Sequence, residues 1–205
     1  MKKLLGFSIF LVFVLIASLT AEAKVTLPAI FSDNMVLQQN TQVNVWGKAA
    51  PGEKVTVKAS WLDKPVTAKA AANGKWTVKL KTPKATTNQS VTVSGENEIT
   101  INNVLIGEVW LCTGQSNMEF PVSRHPDVKW NTGMLNEAEE LKDADYPEIR
   151  LFHVKHQLAH EGELDDCEGE WLVCNPKNLY DFSAVGFVFG RKLYKELKMP
   201  VGLIQ

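Results

Sequence analysis

Residues 24–104 alternate polar and apolar positions in short runs, a period of two that puts one face of a strand in a core and the other in water. The alternating runs lie at residues 42–46, 54–58, 75–80, 90–94 and 98–102. Turn-forming pairs such as Asn73-Gly74 separate them. Many short strands at this spacing predict a jelly-roll-like β-sandwich over residues 24–104.

The pattern changes near residue 104. Residues 104–112 are apolar apart from Gly107-Glu108, which is typical of a strand buried on both faces of a parallel sheet. Beyond it we predict a weak helix at residues 132–142, strands at residues 149–152 and 201–204, and a long loop at residues 156–180.

The clearest helix precedes the last of these strands. Apolar residues recur there at spacings of three and four: Phe182, Val185, Phe189, Leu193 and Leu197. This stripe predicts a helix that faces the core, with Asp181 or Ser183 as its cap and Pro200 ending it. Strand, helix and strand form a parallel βαβ unit, so residues 105–205 are predicted to be the first part of an α/β domain. Two or three strands make only part of such a sheet, and we expect the domain to be truncated.

Residues 1–23 have the pattern of a signal peptide. Lys2 and Lys3 precede an apolar stretch, and Ala21-Glu22-Ala23 offers small residues at the positions that a signal peptidase reads. A membrane anchor is the alternative, but the apolar stretch of about 16 residues is short for a span of about 20. We therefore expect export to the periplasm, the cell surface or the medium of a bacterium, with no membrane attachment after cleavage.

Composition excludes some classes of partner. The chain of 205 residues is 45% hydrophobic and 22% charged, with a formal net charge of -1, which is ordinary for a globular protein and does not favour nucleic-acid binding. Among the three cysteines, Cys112 is predicted to be a small buried hydrophobe, and export would allow a disulfide between Cys167 and Cys174.

Three histidines have the spacing His-x2-His-x3-His: His153, His156 and His160. On a helix this spacing suits a metal, but the segment is predicted to be a strand running into a loop. We expect solvated or structural histidines, and neither a metal nor a cofactor.

Three tryptophans fall within the predicted sandwich: Trp46, Trp61 and Trp76. Burial in the core is the expected role, and stacking of one of them on a sugar is the alternative. A second hypothesis for the whole chain follows from that alternative, namely a carbohydrate-binding β module without catalysis, to which residues 105–205 are an appendage.

Ser116 is the candidate nucleophile. It follows the buried strand predicted over residues 104–112, and in open α/β sheets ligands bind beyond the carboxyl ends of the strands. Gly114 lets the chain turn there without a Cβ clash. Because position 118 is Met, the motif is not the Gly-x-Ser-x-Gly elbow of the α/β-hydrolase fold.

Polar neighbours of Ser116 complete the candidate site. Gln115 and Asn117 offer amides that orient a loop or a substrate, and Glu119 follows the serine by three residues and is a candidate to line the pocket. Glu119 and Arg150 are given structural or solvated roles by default.

The Gly-Glu-Val-Trp-Leu-Cys-Thr-Gly-Gln-Ser-Asn-Met-Glu block at residues 107–119 resembles the nucleophile block of the sialate O-acetylesterase family, within the SGNH hydrolase class of serine esterases. Residues 31–38, 45–47, 51–55 and 182–191 also resemble segments of that family. The resemblance implies a sandwich followed by an SGNH hydrolase domain, and hydrolysis of acetyl esters on a sugar. The typical sugar is a sialic acid, while acetylated xylan or another acetylated glycan is an alternative.

The resemblance also implies the catalytic parts. Ser116 attacks the acetyl carbonyl to give an acetyl-enzyme, and its backbone N–H is one oxyanion donor. A later Gly, a later Asn and a late Asp-x-x-His supply the other donors and the base. None of the aspartates in this chain is followed by His at the third position. We therefore expect an incomplete catalytic set and no serine-dependent turnover by these 205 residues alone.

Overall fold

The structure of this chain, a computed structural model, describes residues 24–125, 127, 133–160 and 162–205. The predicted signal peptide at residues 1–23 lies outside the described residues. No helix within the described ranges has the length and apolar character needed to cross a membrane.

Strands dominate the first half of the described chain. They are β1 (Val36–Gln38), β2 (Gln42–Lys48), β3 (Lys54–Ala59), β4 (Val66–Lys69), β5 (Lys75–Lys81), β6 (Thr86–Ser94) and β7 (Glu98–Leu111). The five period-two runs all form strands, and the last of them continues into the apolar run at residue 104 as the single strand β7.

The alternation sets which face of each strand is buried. β2 pairs with β5 in a two-stranded antiparallel sheet, with Val45 opposite Val78. β3 pairs antiparallel with β4 and β6 in a larger sheet, with Val57 opposite Val93. All four valines belong to one buried cluster, so the two sheets share a core.

The second half mixes helices and strands. Its elements are α1 (Ser116–Glu119), α2 (Glu137–Lys142), β8 (Tyr146–Phe152), β9 (Trp171–Cys174), α3 (Pro176–Leu179), α4 (Ala184–Leu197) and β10 (Val201–Ile204). The strands predicted at residues 149–152 and 201–204 are confirmed. The loop predicted at residues 156–180 is wrong in its last third, because β9 and α3 are each only four residues long and leave no periodic signal.

One mixed sheet runs through both halves. Eight strands lie in the order β4-β3-β6-β7-β10-β8-β9, with β1 beside β7. β10 is parallel to both β7 and β8, whereas β9 is antiparallel to β8. The boundary placed between residues 104 and 105 falls inside β7, which pairs with β6 near its start and with β10 at its end.

Helix α4 begins as predicted. The hydroxyl of Ser183 accepts a hydrogen bond from the backbone N–H of Gly186 at 3.0 Å, which makes Ser183 the N-cap. Lys198, in the left-handed conformation, ends the helix just before Pro200.

The buried face of α4 differs from the prediction. Val185, Phe189 and Leu197 of the predicted stripe are exposed, and the helix buries Ala184, Gly186, Phe187 and Gly190 instead. A Cβ at Gly190 would lie 2.4 Å from a methyl carbon of Leu203 in β10. The small residues therefore define the contact face, because they let the helix approach the sheet closely.

The predicted disulfide between Cys167 and Cys174 is wrong, because all three cysteines are free thiols. Cys174 is buried in the cluster that contains Leu179 and Phe187, whereas Cys167 packs against the other core cluster. Burial raises the pKa of the Cys174 thiol to about 12.

The tryptophans differ in their surroundings. Trp76 is buried, and Trp61 is half-buried with its Nε1 donating to the carbonyl of Lys81 at 2.9 Å. Trp46 is 41% exposed, so the prediction of burial is wrong for this residue. It lies on the outward face of β2, where the alternation places polar neighbours.

Candidate active site

Ser116 lies at the carboxyl edge of the parallel strands. β7, β10 and β8 are parallel, and they lead into Cys112, Gln205 and His153 on the same side of the sheet. Ser116 follows four residues after Cys112, is exposed to solvent and begins α1. The position agrees with the general rule that ligands bind where strands of an open sheet run out.

The turn into α1 depends on the absence of a side chain at Gly114. A Cβ there would lie 2.9 Å from the Cβ of Met118, closer than real Cβ atoms approach one another. The backbone N–H groups of Met118 and Glu119 both donate to the carbonyl of Gln115, at 2.9 and 3.1 Å. Glycine is therefore needed at position 114 because a side chain there would clash with Met118, and not because the backbone is left-handed.

The start of α4 anchors the end of α1. The backbone N–H of Ala184 donates to the carbonyl of Phe120 at 2.9 Å, and the Ser183 hydroxyl donates to the sulfur of Met118 at 3.4 Å. The N–H of Ser183 donates to Oε1 of Gln205 at 2.7 Å. These contacts tie the serine loop to both the helix and the last strand of the sheet.

Two neighbouring cavities open beside this loop. The smaller, of about 350 Å³, is lined by residues that include Gly114, Gln115 and Glu119. The larger, of about 770 Å³, shares Glu119 and His153 with it. Ser116 and Asn117 are exposed and do not line the smaller cavity, whereas their neighbours Gln115 and Glu119 do. The predicted site residues therefore lie at the rim of this cavity and do not enclose it.

Carboxylates and histidines pair along the cavity walls. His156 Nε2 lies 2.9 Å from Glu119 Oε1, and His125 Nε2 lies 2.8 Å from Asp181 Oδ1. Glu119 therefore has a specific partner, which goes beyond the solvated role given to it by default. The sequence did not indicate this pair, because residues 119 and 156 approach each other only through the order of β7, β10 and β8.

His153 sits where both cavities meet. Desolvation lowers its pKa below the ordinary value, and the nearby carboxylate of Asp181 partly opposes that effect. The imidazole is therefore neutral at pH 7, which is the form that accepts a proton. No described residue makes a hydrogen bond with the side chain of Ser116, so the structure holds no serine–histidine pair.

The remaining candidate groups have other roles. Among the described residues, no group of three or more His, Cys, Asp or Glu side chains is arranged to hold a metal ion. Cys112 is buried, and burial raises the pKa of its thiol, which disfavours the nucleophilic thiolate. Arg150 is buried away from both cavities and bonds to Asn34 and to Pro147.

Comparison with known proteins gives a consistent result. No family model matches the chain. The sialate O-acetylesterase of Mus musculus is 33% identical over 196 residues, which cover 86% of this chain and 34% of that protein. The human sialate O-acetylesterase is 32% identical over 192 residues, covering 84% and 35%. The crystal structure of a carbohydrate acetylesterase from Xanthomonas citri superposes with a TM-score of 0.78 at 30% identity, covering 88% of this chain and 39% of that one.

With its mixed sheet and the serine loop at the carboxyl edge, the chain is similar in fold to part of a carbohydrate acetylesterase. The chain belongs to the sialate O-acetylesterase family. It spans about a third of the length of the curated relatives that it matches, 34% for the mouse protein.

Proposed function

We propose that this chain carries the nucleophile of a carbohydrate O-acetylesterase, which hydrolyses acetyl esters on sugars through Ser116. The observation that carries the proposal is the exposed Ser116 at the start of α1, directly beyond the carboxyl end of β7 and at the rim of the 350 Å³ cavity. The named relatives support the substrate class, because they are acetylesterases of sialate and of carbohydrate.

In the proposed mechanism, the Ser116 hydroxyl attacks the acetyl carbonyl and the sugar leaves with a proton. Water then hydrolyses the acetyl-enzyme and releases acetate. The backbone N–H of Ser116 makes no hydrogen bond to a described residue and is the oxyanion donor that this chain supplies. One donor of this kind is worth about 10²–10³ in kcat.

An unassisted serine hydroxyl is a poor nucleophile at neutral pH and needs a base within hydrogen-bond reach. No described histidine bonds to Ser116, so we propose that the base and the other oxyanion donors come from polypeptide outside the described residues. The jelly-roll-like sandwich and the truncated SGNH hydrolase domain remain our interpretation of the two halves.

The proposed substrate is an O-acetylated sugar, either a sialic acid or another acetylated glycan such as xylan. We propose that the protein is exported through the signal peptide at residues 1–23 and meets this substrate in the periplasm, on the cell surface or outside the cell. Neither a cofactor nor a nucleic-acid partner is part of the proposal.

The test uses the protein expressed in the organism that encodes it. Acetate release is measured with O-acetylated sialic acid and with acetylated xylan as substrates. We expect release from at least one substrate and a loss of about 10³-fold or more with Ser116→Ala. Thr100→Ala is the control, since it removes an exposed hydroxyl from β7 at a position that lines neither cavity beside the serine loop, and it is expected to retain activity. Unchanged acetate release by Ser116→Ala would contradict the proposed mechanism.

A second assay addresses the incomplete catalytic set. The 205-residue chain is expected to hydrolyse p-nitrophenyl acetate no faster than its Ser116→Ala variant. A rate that falls on this substitution would contradict the proposal that the base lies outside the described residues.

A further inference from the structure

We propose that a groove leads from the serine loop to Trp46 and binds a neutral oligosaccharide, with Trp46 as a stacking platform distant from the ester. The inference rests on the proposed function, because it takes the acetylated sugar at Ser116 to be one unit of a longer glycan chain. The binding itself needs no chemistry at Ser116, so the two proposals can fail separately.

The aromatic platform is fixed in place. Trp46 is exposed on β2, and the Phe31 ring packs against it edge-on, with 4.6 Å between the ring centroids and 80° between the planes. An edge-on partner holds an aromatic ring without covering both of its faces. A pyranose has a face made largely of C–H groups, which suits stacking on such a ring.

Cavities connect Trp46 to the serine loop. Trp46 lines one cavity of about 340 Å³ and another of about 620 Å³. The second cavity shares Val154, Lys155 and Gln157 with the 350 Å³ cavity beside Gly114. Ligand pockets measure about 300–1,000 Å³, so three adjoining cavities of this size have room for several linked sugar rings.

The charges around Trp46 are compensated, which favours a neutral ligand. Lys48 and Lys75 both pair with the carboxylate of Asp165, at 3.2 and 2.6 Å. The neighbouring carboxylate of Asp166 accepts from the backbone N–H groups of Ala29 and Cys167, at 3.0 and 2.8 Å. Lys155 and Glu163 line the 620 Å³ cavity as well, so three cations and three anions leave no net charge to attract an acidic sugar at this end of the groove.

Trp76 lines the 340 Å³ cavity beside Trp46 and adds a second aromatic side chain to its wall. Its Nε1 is buried, so the ring and not the N–H is what this residue offers to a ligand in the cavity.

The chain contains a matched control for Trp46. Trp110 is also 41% exposed, and Phe189 packs against it edge-on at 5.1 Å and 80°. Trp110 lines none of the three cavities of the groove. Replacement of either tryptophan by alanine therefore removes the same exposed ring, but only one replacement affects the proposed groove.

The experiment is calorimetric titration of the chain with deacetylated xylohexaose, cellohexaose and mannohexaose, and with the three corresponding monosaccharides. We expect at least one hexaose to bind about tenfold or more tightly than its monosaccharide. Trp46→Ala should weaken that binding about tenfold, Trp46→Phe should retain most of it, and Trp110→Ala should leave it unchanged. Circular dichroism checks that each variant is folded.

The proposal is overturned if no hexaose binds, if the monosaccharide binds equally well, or if Trp46→Ala and Trp110→Ala have the same effect. Ser116→Ala separates this result from the proposed catalytic function. Tryptophan-dependent hexaose binding by Ser116→Ala supports the groove whatever the outcome of the acetate-release assay.

Discussion

Arg150 in β8 donates a hydrogen bond from Nη1 to Oδ1 of Asn34 at 3.0 Å, which joins residues 116 positions apart. The guanidinium is only 4% exposed and also donates to the carbonyl of Pro147 at 3.1 Å. Asn34 adopts a φ of 68°, and its Oδ1 accepts a second hydrogen bond from Asn103 at 2.7 Å. A buried cation needs such acceptors, so this cluster fixes the segment before β1 against the second half of the chain.

We expect Asn34→Ala to lower the free energy of unfolding by about 2–3 kcal/mol, because it removes an acceptor from a buried cation and replaces Asn, which tolerates a left-handed backbone, by a residue that tolerates it less well. Asn34→Gly removes the same acceptor but tolerates the positive φ, and it should be less destabilising by about 1 kcal/mol. Urea unfolding measures both. Equal stability of Asn34→Ala and the wild type would show that the cluster contributes nothing.

Gly114→Ala tests the packing of the serine loop. The new Cβ would lie 2.9 Å from the Cβ of Met118, so α1 must shift and carry Ser116 with it. We expect a loss of about 10²-fold in acetate release by the protein from its own host, because small misplacements at a reacting group are costly. Thr100→Ala, on β7 and away from both cavities beside the serine loop, is the control. Full activity of Gly114→Ala would mean that the loop position is not critical.

Glu140 in α2 and Arg191 in α4 form a largely buried ion pair. The hydrogen bond from Arg191 holds the pKa of the Glu140 carboxyl below its ordinary value, against the opposing effect of burial. The pair therefore stabilises the fold above the unfolded-state pKa of about 4.3, and this contribution is lost as the pH falls through the lower pKa of the folded state.

Glu140→Gln should lower the free energy of unfolding at pH 7 by about 1–3 kcal/mol, and the difference from the wild type should shrink below about pH 4. Glu196→Gln is the control, because Glu196 pairs with Lys192 on the exposed surface of α4 and should leave stability unchanged. A Glu140→Gln effect that is constant from pH 7 to about pH 3 would contradict the assignment to an ionised pair.

The free cysteines can be counted directly. In denaturant without reductant, a colorimetric thiol assay is expected to find all three thiols of the chain. In the folded protein, iodoacetamide should modify Cys167 before Cys174, because Cys167 is partly exposed and burial raises the pKa of Cys174 to about 12. Detection of a single thiol in denaturant would instead indicate that two of the three cysteines form a disulfide, as first predicted for Cys167 and Cys174.

Local patterns predicted seven of the ten strands of the described residues, but not β1, β4 or β9, and they placed Ser116 just beyond the end of a buried strand. Period-two alternation depends only on neighbouring residues, and it placed Val45 and Val57 in the core. The buried face of α4 was harder to predict, because Gly190 leaves room for Leu203 of β10. A hydrophobicity pattern alone favours large apolar residues such as Phe189 and gives no weight to the absence of a side chain.

The contacts around the site depend on strand order, which a single sequence does not show. Glu119 meets His156 because β10, the last strand in the chain, lies between β7 and β8. The exposure of Trp46, in contrast, agrees with the alternation along β2, which places it on the face opposite Val45, whereas the cavities beside it depend on distant segments. The groove toward Trp46 therefore became visible only with the three-dimensional structure.

β7 crosses the chain from one half to the other without interruption, from the antiparallel pairing with β6 to the loop that carries Ser116. The serine is thus carried on the same strand that pairs with the N-terminal sheet, although Asn103 in that strand has a φ of 54° and the register with β6 shifts beside it. Cleavage at residue 104 would sever a strand that takes part in the pairing of both halves, so each fragment would lose part of its sheet.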